Sequence, residues 1–118
     1  MSKVLIVDDS KISRKNTRRA LEDLDHEVLG EAVDGVDGIE KFKEFRPELI
    51  VTDIEMPKLD GIKMLKQIRS IDNHVKVVVV SSVVNAQAMQ EVTKLYASIV
   101  KKPLKKERLE NAIKLLTR

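Results

Sequence analysis

A chain of 118 residues, 42% apolar and 35% charged, can build one core beneath a well-solvated surface. Its net charge of +3 is mild, and 3% aromatic content without Trp excludes the stacking platforms that single-stranded nucleic acid requires. The absence of Cys excludes disulfides, zinc–thiolate centres and thiol nucleophiles.

Apolar runs alternate with helix-period segments. Lys3 to Val7 (KVLIV) predicts a buried strand. Ser10 is placed to cap a helix through about Leu24, with Ile12, Ala20, Leu21 and Leu24 inward and the basic residues Lys11, Arg14, Lys15, Arg18 and Arg19 outward. Glu27 to Ala32 alternates like an edge-side strand. Asp34 then caps a helix carrying Val36, Ile39 and Phe42, which Pro47 ends. Glu48 to Thr52 predicts a second buried strand that ends at Asp53. The stretch EMPKLDG is loop, punctuated by Pro57 and Gly61.

A helix with Leu65 and Ile68 follows. Val75 to Val80 is the third strongly buried strand, ending in Ser81 and Ser82. Asn85 caps a helix with Ala88, Val92 and Leu95, and Met56, Met64 and Met89 read as packing residues. Ala97 to Lys101 is a last strand, interrupted by Pro103. Leu109, Ala112, Ile113 and Leu116 then recur at helical spacing. A second basic group, Lys101, Lys102, Lys105, Lys106 and Arg108, lies here. The longest apolar run, Val77 to Val80, falls far short of the roughly 20 residues that span a bilayer. The apolar opening is too short for a signal peptide. The expectation is a cytoplasmic protein that engages neither membrane nor nucleic acid.

Strand–helix alternation of this kind implies an α/β, doubly wound parallel sheet with helices on both faces, and one domain over residues 1–118 accounts for it. In such sheets ligands bind outside the carboxyl ends of the strands. Those ends carry Asp8 and Asp9, Asp53, Ser81 and Ser82, and Lys101 and Lys102. If the first and third strands are neighbours, three carboxylates meet in one crevice. They repel one another unless a cation intervenes. The donors are all oxygens, which favours a hard ion: Mg²⁺ typically binds through one or two carboxylates plus waters and phosphate oxygens. A metal beside a carboxylate, a hydroxyl and a lysine is a set of parts for phosphoryl transfer, and a carboxylate can itself be the nucleophile.

The successive stretches VLIVDDS, LIVTDIEMPKLDG, VVVVSS and VKKP, together with VDGVDGIEKF, resemble the response-regulator receiver domain, the CheY-like family, over essentially the whole chain. The resemblance implies a five-stranded parallel sheet of order 2-1-3-4-5 with five helices, the flavodoxin-like arrangement. It implies that Asp53 is the phosphoacceptor for a sensor histidine kinase or histidine phosphotransfer protein. Mg²⁺ would be held by Asp8, Asp9, Asp53 and the backbone carbonyl of Glu55, with Asp8 acting mostly through water. Ser81 would be the switch hydroxyl, Ser82 the small residue beside it, and Lys102 the partner of the phosphoryl oxygens. The Lys102–Pro103 peptide would be cis.

Two positions depart from the family. Ile99 stands where a switch aromatic is usual, and Leu104 follows the Lys-Pro pair where an aromatic is common. The usual output geometry therefore does not transfer directly. Strand alternation allows only one of Lys101 and Lys102 to point inward, and Pro103 favours Lys102. Glu55 is expected to sit exposed beside the pocket, either as a solvated loop carboxylate or with a charge that affects attack of water on an aspartyl phosphate. The basic face of the first helix reads as solvated surface, with docking of an acidic histidine-bearing partner as the alternative. His26 and His74 have no ligand-spaced companion and receive no role.

The function expected is therefore a monomeric phosphoacceptor that switches a surface for an unidentified downstream protein and turns over no external substrate. Three other readings stand beside it. An aspartyl-nucleophile phosphatase also employs carboxylates, Mg²⁺ and lysine, but places Asp-x-Asp after its first strand, where this chain has Asp8-Asp9-Ser10. A binding module independent of phosphorylation would not need the acidic triad. Flavodoxin-like cofactor binding lacks a Gly-rich phosphate loop.

Overall fold

The three central apolar runs become buried strands because strands on both sides and helices on both faces exclude water from them, whereas the two edge strands are only partly buried. In the computed structural model, residues 1–82 and 85–116 are described. The strands are β1 (Lys3–Val7), β2 (Glu27–Ala32), β3 (Leu49–Thr52), β4 (Lys76–Ser81) and β5 (Ser98–Lys101). The helices are α1 (Lys11–Asp23), α2 (Gly35–Phe45), α3 (Gly61–Ile71), α4 (Ala86–Lys94) and α5 (Lys106–Leu116). The sheet is parallel throughout, in the order β2-β1-β3-β4-β5, as the sequence led us to expect. The expected β3, β4 and β5 begin one residue early, which leaves their order untouched.

Side chains of successive strand residues point to opposite faces, and this divides the core into two layers. On one face Leu5, Val7, Ile50, Val77 and Val79 pack with Phe42 of α2, Met64, Leu65 and Ile68 of α3 and Val92 of α4. On the other, Val4, Ile6, Leu49, Val51, Val78 and Val80 pack with Leu21 of α1 and Leu109, Ala112 and Ile113 of α5. Four helices start at side-chain caps: Ser10, Asp34, Asp60 and Asn85 each accept the N–H three residues on, at 3.2, 2.8, 2.9 and 2.9 Å. These caps aim four helix N-termini toward the carboxyl end of the sheet.

Three inward assignments are corrected. Ile12 is 74% exposed. It lies nine residues before Leu21, which at about 3.6 residues per turn is half a turn round the helix. The true inner stripe of α1 runs through Ser13, Thr17 and Leu21, so hydrophobicity misplaced it. Val36 is also exposed, because α2 turns Gly35, Gly38 and Phe42 inward instead. Gly35 is required there: a Cβ would come within 2.2 Å of the Leu59 carbonyl oxygen. Met89 is exposed on α4, whereas Met64 is fully buried and Met56 packs against the core.

Candidate functional site

Parallel register assembles the site. Val7 pairs with Thr52, so Asp8 and Asp53 leave the sheet side by side, and the Asp53 N–H donates to the Val7 carbonyl at 3.0 Å. Asp8 and Asp53 are buried, whereas Asp9 is exposed. One carboxylate oxygen from each of Asp8, Asp9 and Asp53 lies within 4.8 Å of the others.

Lys102 is the cation in this cluster. Its Nζ donates to Asp53 Oδ2 at 2.9 Å and to Asp8 Oδ2 at 3.3 Å. Its N–H donates to the Ser81 carbonyl at 2.9 Å, which ties the end of β5 to the end of β4. Burial works to lower the Lys102 pKa, but hydrogen bonds and charge from Asp53 and Asp8 outweigh it and raise the pKa above 10.5. The ammonium therefore stays charged across the neutral range. Lys101 is exposed, so the two lysines do point apart. The Lys102–Pro103 peptide is cis.

Backbone groups hold the acceptor carboxylate. Asp53 Oδ1 accepts from the N–H groups of Ile54 at 2.7 Å and Glu55 at 3.3 Å. Gly61 keeps the following loop close, donating its N–H to the Ile54 carbonyl at 2.8 Å. A Cβ at Gly61 would lie 2.0 Å from the Asp53 carbonyl oxygen, so the close approach demands glycine. Pro57 is exposed in the same loop, and Glu55 is exposed on its rim. Beside the carboxylates a cleft of about 600 Å³ opens, bounded by Asp9, Glu55, Met56, Lys63, Lys66 and Glu91 among others.

Ser81 closes β4 fully buried, and Ser82 after it is exposed. Thr52 pairs with Val79, which sets Ser81 one position beyond the level of Asp53. Ile99 is half-buried against the α2–α3–α4 face of the core.

The donor set fits a hard divalent cation. Three carboxylates face one ammonium, all candidate ligand atoms are oxygens, and Asp9 has no hydrogen-bond or ion-pair partner among the described residues. Asp8, Asp9 and Asp53 could hold such an ion, and the N-termini of α1 and α3 lie close by for an anion.

The sequence reading missed groups that support these residues. Ser13 Oγ donates to Asp8 Oδ2 at 2.6 Å. Arg14, assigned to the outer face, is turned instead: its Nη1 donates to the Asp8 carbonyl at 2.8 Å and its Nε to Glu31 Oε1 at 3.1 Å. Arg18 Nε donates to Glu31 Oε2 at 2.7 Å. The exposed basic face of α1 is thus Lys11, Lys15 and Arg19. Spacing alone would have found Ser13, because it lies four and eight residues before Thr17 and Leu21.

The chain is thus a small doubly wound module, an open parallel sheet with an acidic crevice and an inward lysine at its carboxyl edge. A family model described as the response regulator receiver domain matches residues 4–114. The chemotaxis protein CheY of Treponema pallidum is 38% identical over 110 residues, covering 91% of this chain and 76% of that protein. The chemotaxis protein CheY of Thermotoga maritima is 34% identical over 112 residues, covering 94% and 93%. The crystal structure of the CheX–CheY–BeF3–Mg complex from Borrelia burgdorferi superposes with a TM-score of 0.94 at 26% identity, over 98% of this chain and 89% of that one. The chain belongs to the response-regulator receiver family and is a CheY-like receiver domain of two-component signalling. Among the described residues no helix is long and apolar enough to cross a membrane.

Proposed function

We propose that this receiver takes a phosphoryl group onto Asp53 from the phosphohistidine of a sensor kinase or a histidine phosphotransfer protein, with Mg²⁺ as cofactor. The observation that carries the reading is the position of Asp53: buried, with Lys102 at 2.9 Å, and sharing its crevice with Asp8 and Asp9. A carboxylate oxygen of Asp53 forms the new O–P bond as the P–N bond of phosphohistidine breaks, and the imidazole leaves with the bonding pair. Mg²⁺, held by Asp8, Asp9, Asp53 and the Glu55 carbonyl, would supply charge neutralisation for the phosphoryl oxygens.

The chain's own residues do the rest. Lys102 turns from the carboxylates to a phosphoryl oxygen, and Ser81 supplies a hydroxyl at the next strand end. Ser82, small, leaves the approach open. The Ile54 and Glu55 N–H groups keep the Asp53 carboxylate oriented for attack. The added dianion then biases the β4–α4 and β5 region, and with Ile99 in place of a ring that bias is carried by movement of the strand end and helix. Lys11, Lys15 and Arg19 are exposed on α1, the helix that follows Asp8 and Asp9, where they would steer an acidic phosphodonor. The protein acts as a cytoplasmic phosphoacceptor and not as an enzyme with turnover of an external substrate.

Acetyl phosphate with and without Mg²⁺, read by intact mass, tests this. Wild type should gain one phosphoryl group only with the metal, and Asp53→Asn should gain none while retaining wild-type amide spectra elsewhere. Equal labelling of Asp53→Asn, or labelling that ignores the metal, would contradict the proposal.

A further inference from the structure

Three carboxylates share the crevice, and two of them are held by hydrogen bonds to their own side chains. Asp8 accepts from the Ser10 N–H, Ser13 Oγ and Lys102 Nζ. Asp53 accepts from the Ile54 and Glu55 N–H groups and Lys102 Nζ. Asp9 is exposed, and its side chain has no hydrogen-bond or ion-pair partner among the described residues. Yet one of its oxygens lies within 4.8 Å of oxygens of the other two. Its backbone must supply the direction that its side chain lacks.

That backbone is anchored one residue earlier. The Asp8 N–H donates to the Ala32 carbonyl at 3.0 Å, and the Asp8 carbonyl accepts from Arg14 Nη1 at 2.8 Å. Both anchors depend on the end of β2. Ala32 is its last residue, and Glu31 beside it takes Arg14 Nε on Oε1 at 3.1 Å and Arg18 Nε on Oε2 at 2.7 Å. Lys41 of α2 in turn donates to the Glu31 carbonyl at 2.5 Å. The rigid fork of Arg14 is thus held at two points and keeps 15% exposure. Arg18, at 37%, bonds only to Glu31 and Glu22 among the described residues. With both backbone groups of Asp8 anchored, its two soft dihedrals are fixed, and these set where the Cα of Asp9 lies and how its side chain leaves.

We propose that Arg14, braced by Glu31, is a positioning residue that aims the Asp9 carboxylate into the crevice as a metal ligand. The inference rests on the metal reading of the previous section and adds to it a residue that touches neither the ion nor the phosphoryl group. Charge and position make opposite demands here, which lets them be told apart. If Arg14 acted only through its charge, its removal would take a positive group away from a cation site and strengthen binding. If it acts by holding the Asp8 carbonyl, its removal releases Asp9 and weakens binding.

Calorimetric titration of the unphosphorylated protein with Mg²⁺ tests it, with amide spectra to check the fold of each variant. Arg14→Ala should lower the Mg²⁺ association constant about ten-fold, the lower end of the range for groups that orient metal ligands. Arg14→Lys keeps the charge but offers one ammonium to two acceptors, so its constant should fall about three-fold or more. It provides the same comparison if the alanine variant misfolds. Arg18→Ala removes an equal charge from the same Glu31 without touching Asp8, and should stay within about two-fold of wild type. A second readout needs no metal: Asp9→Asn should stabilise Arg14→Ala less than it stabilises wild type, because a released Asp9 already swings away from its neighbours. A merely structural role would not couple the two positions. An unchanged or raised constant in the folded Arg14 variants, an equal fall in Arg18→Ala, or an Asp9→Asn gain as large without Arg14 as with it overturns this inference and leaves the metal reading standing. Failure of the wild type to take up Mg²⁺ overturns both.

Discussion

The two ends of the sheet treat polar groups in opposite ways. At the amino ends each group finds a local partner. The Lys3 N–H donates to Glu48 Oε1 and the Ser2 N–H to His26 Nδ1, each at 2.9 Å. Asp72 Oδ1 accepts the N–H groups of His74 and Val75 at 2.7 and 3.1 Å. Arg69 spends its donors on backbone carbonyls, with Nε to Leu95 at 2.9 Å and Nη1 to Val75. At the carboxyl ends three carboxylates crowd round one ammonium. A chain that satisfies one end so fully can satisfy the other, so the surplus negative charge marks the end where stability yields to function.

The largest effect that can break this contrast lies at Lys102. Its replacement by Ala leaves Asp8 and Asp53 together without a counter-charge. Denaturant unfolding should show a loss of about 2 kcal/mol, less than the roughly 3–5 kcal/mol of a fully buried pair because the side chain keeps 23% exposure. Mg²⁺ should restore part of that loss. The sign of the pH dependence follows from the raised pKa: the contribution of Lys102 is complete below 10.5 and disappears as pH rises through its higher folded-state value. A Lys102→Ala protein as stable as wild type would mean that the carboxyl end is not short of positive charge.

A smaller effect of opposite sign is expected at Asp9. Asp9→Asn removes one of three mutually repelling charges, and unfolding in the absence of metal should become harder by roughly 0.5–1 kcal/mol. If Mg²⁺ binds as proposed, it should stabilise wild type, and the same change should abolish that gain. Destabilisation in metal-free buffer would contradict the picture of surplus charge. The smallest effect belongs to the amino end. Burial and the Met1 ammonium lower the His26 pKa from 6.5, against a weaker push from Asp25. Neutral His26 is thus favoured in the folded state, and its contribution is present above 6.5 and lost as pH falls through the lowered value. Thermal melts from about pH 7.5 to about pH 5 should show wild type losing slightly more than His26→Gln, whose amide can still accept the Ser2 N–H. Parallel curves for the two proteins would remove His26 from the account.

Much of this architecture could be read from particular residues. Uninterrupted apolar runs such as Val77 to Val80 predicted strands buried on both faces, and Ser10, Asp34 and Asn85 predicted helix starts, because a cap depends only on residues within one turn. The inner face of α1 was misread at Ile12, since its stripe includes two hydroxyl residues that hydrophobic periodicity ignores. Arg14 was misassigned for a related reason: a basic residue on a helix is normally solvated, and only Glu31 on the neighbouring β2 and the carbonyl of Asp8 turn it inward.

The sequence by itself determined which residues end each strand, and so which acids, hydroxyls and lysines stand at one edge of the sheet, because strand and helix periods are local properties of the chain. Only the tertiary structure decided that Asp8 and Asp53 adjoin, that Lys102 reaches both across separations of 94 and 49 residues, and that Ser13 grips the oxygen Lys102 also touches. Those facts depend on strand order and register, which are set by how the two core layers pack and not by any segment alone.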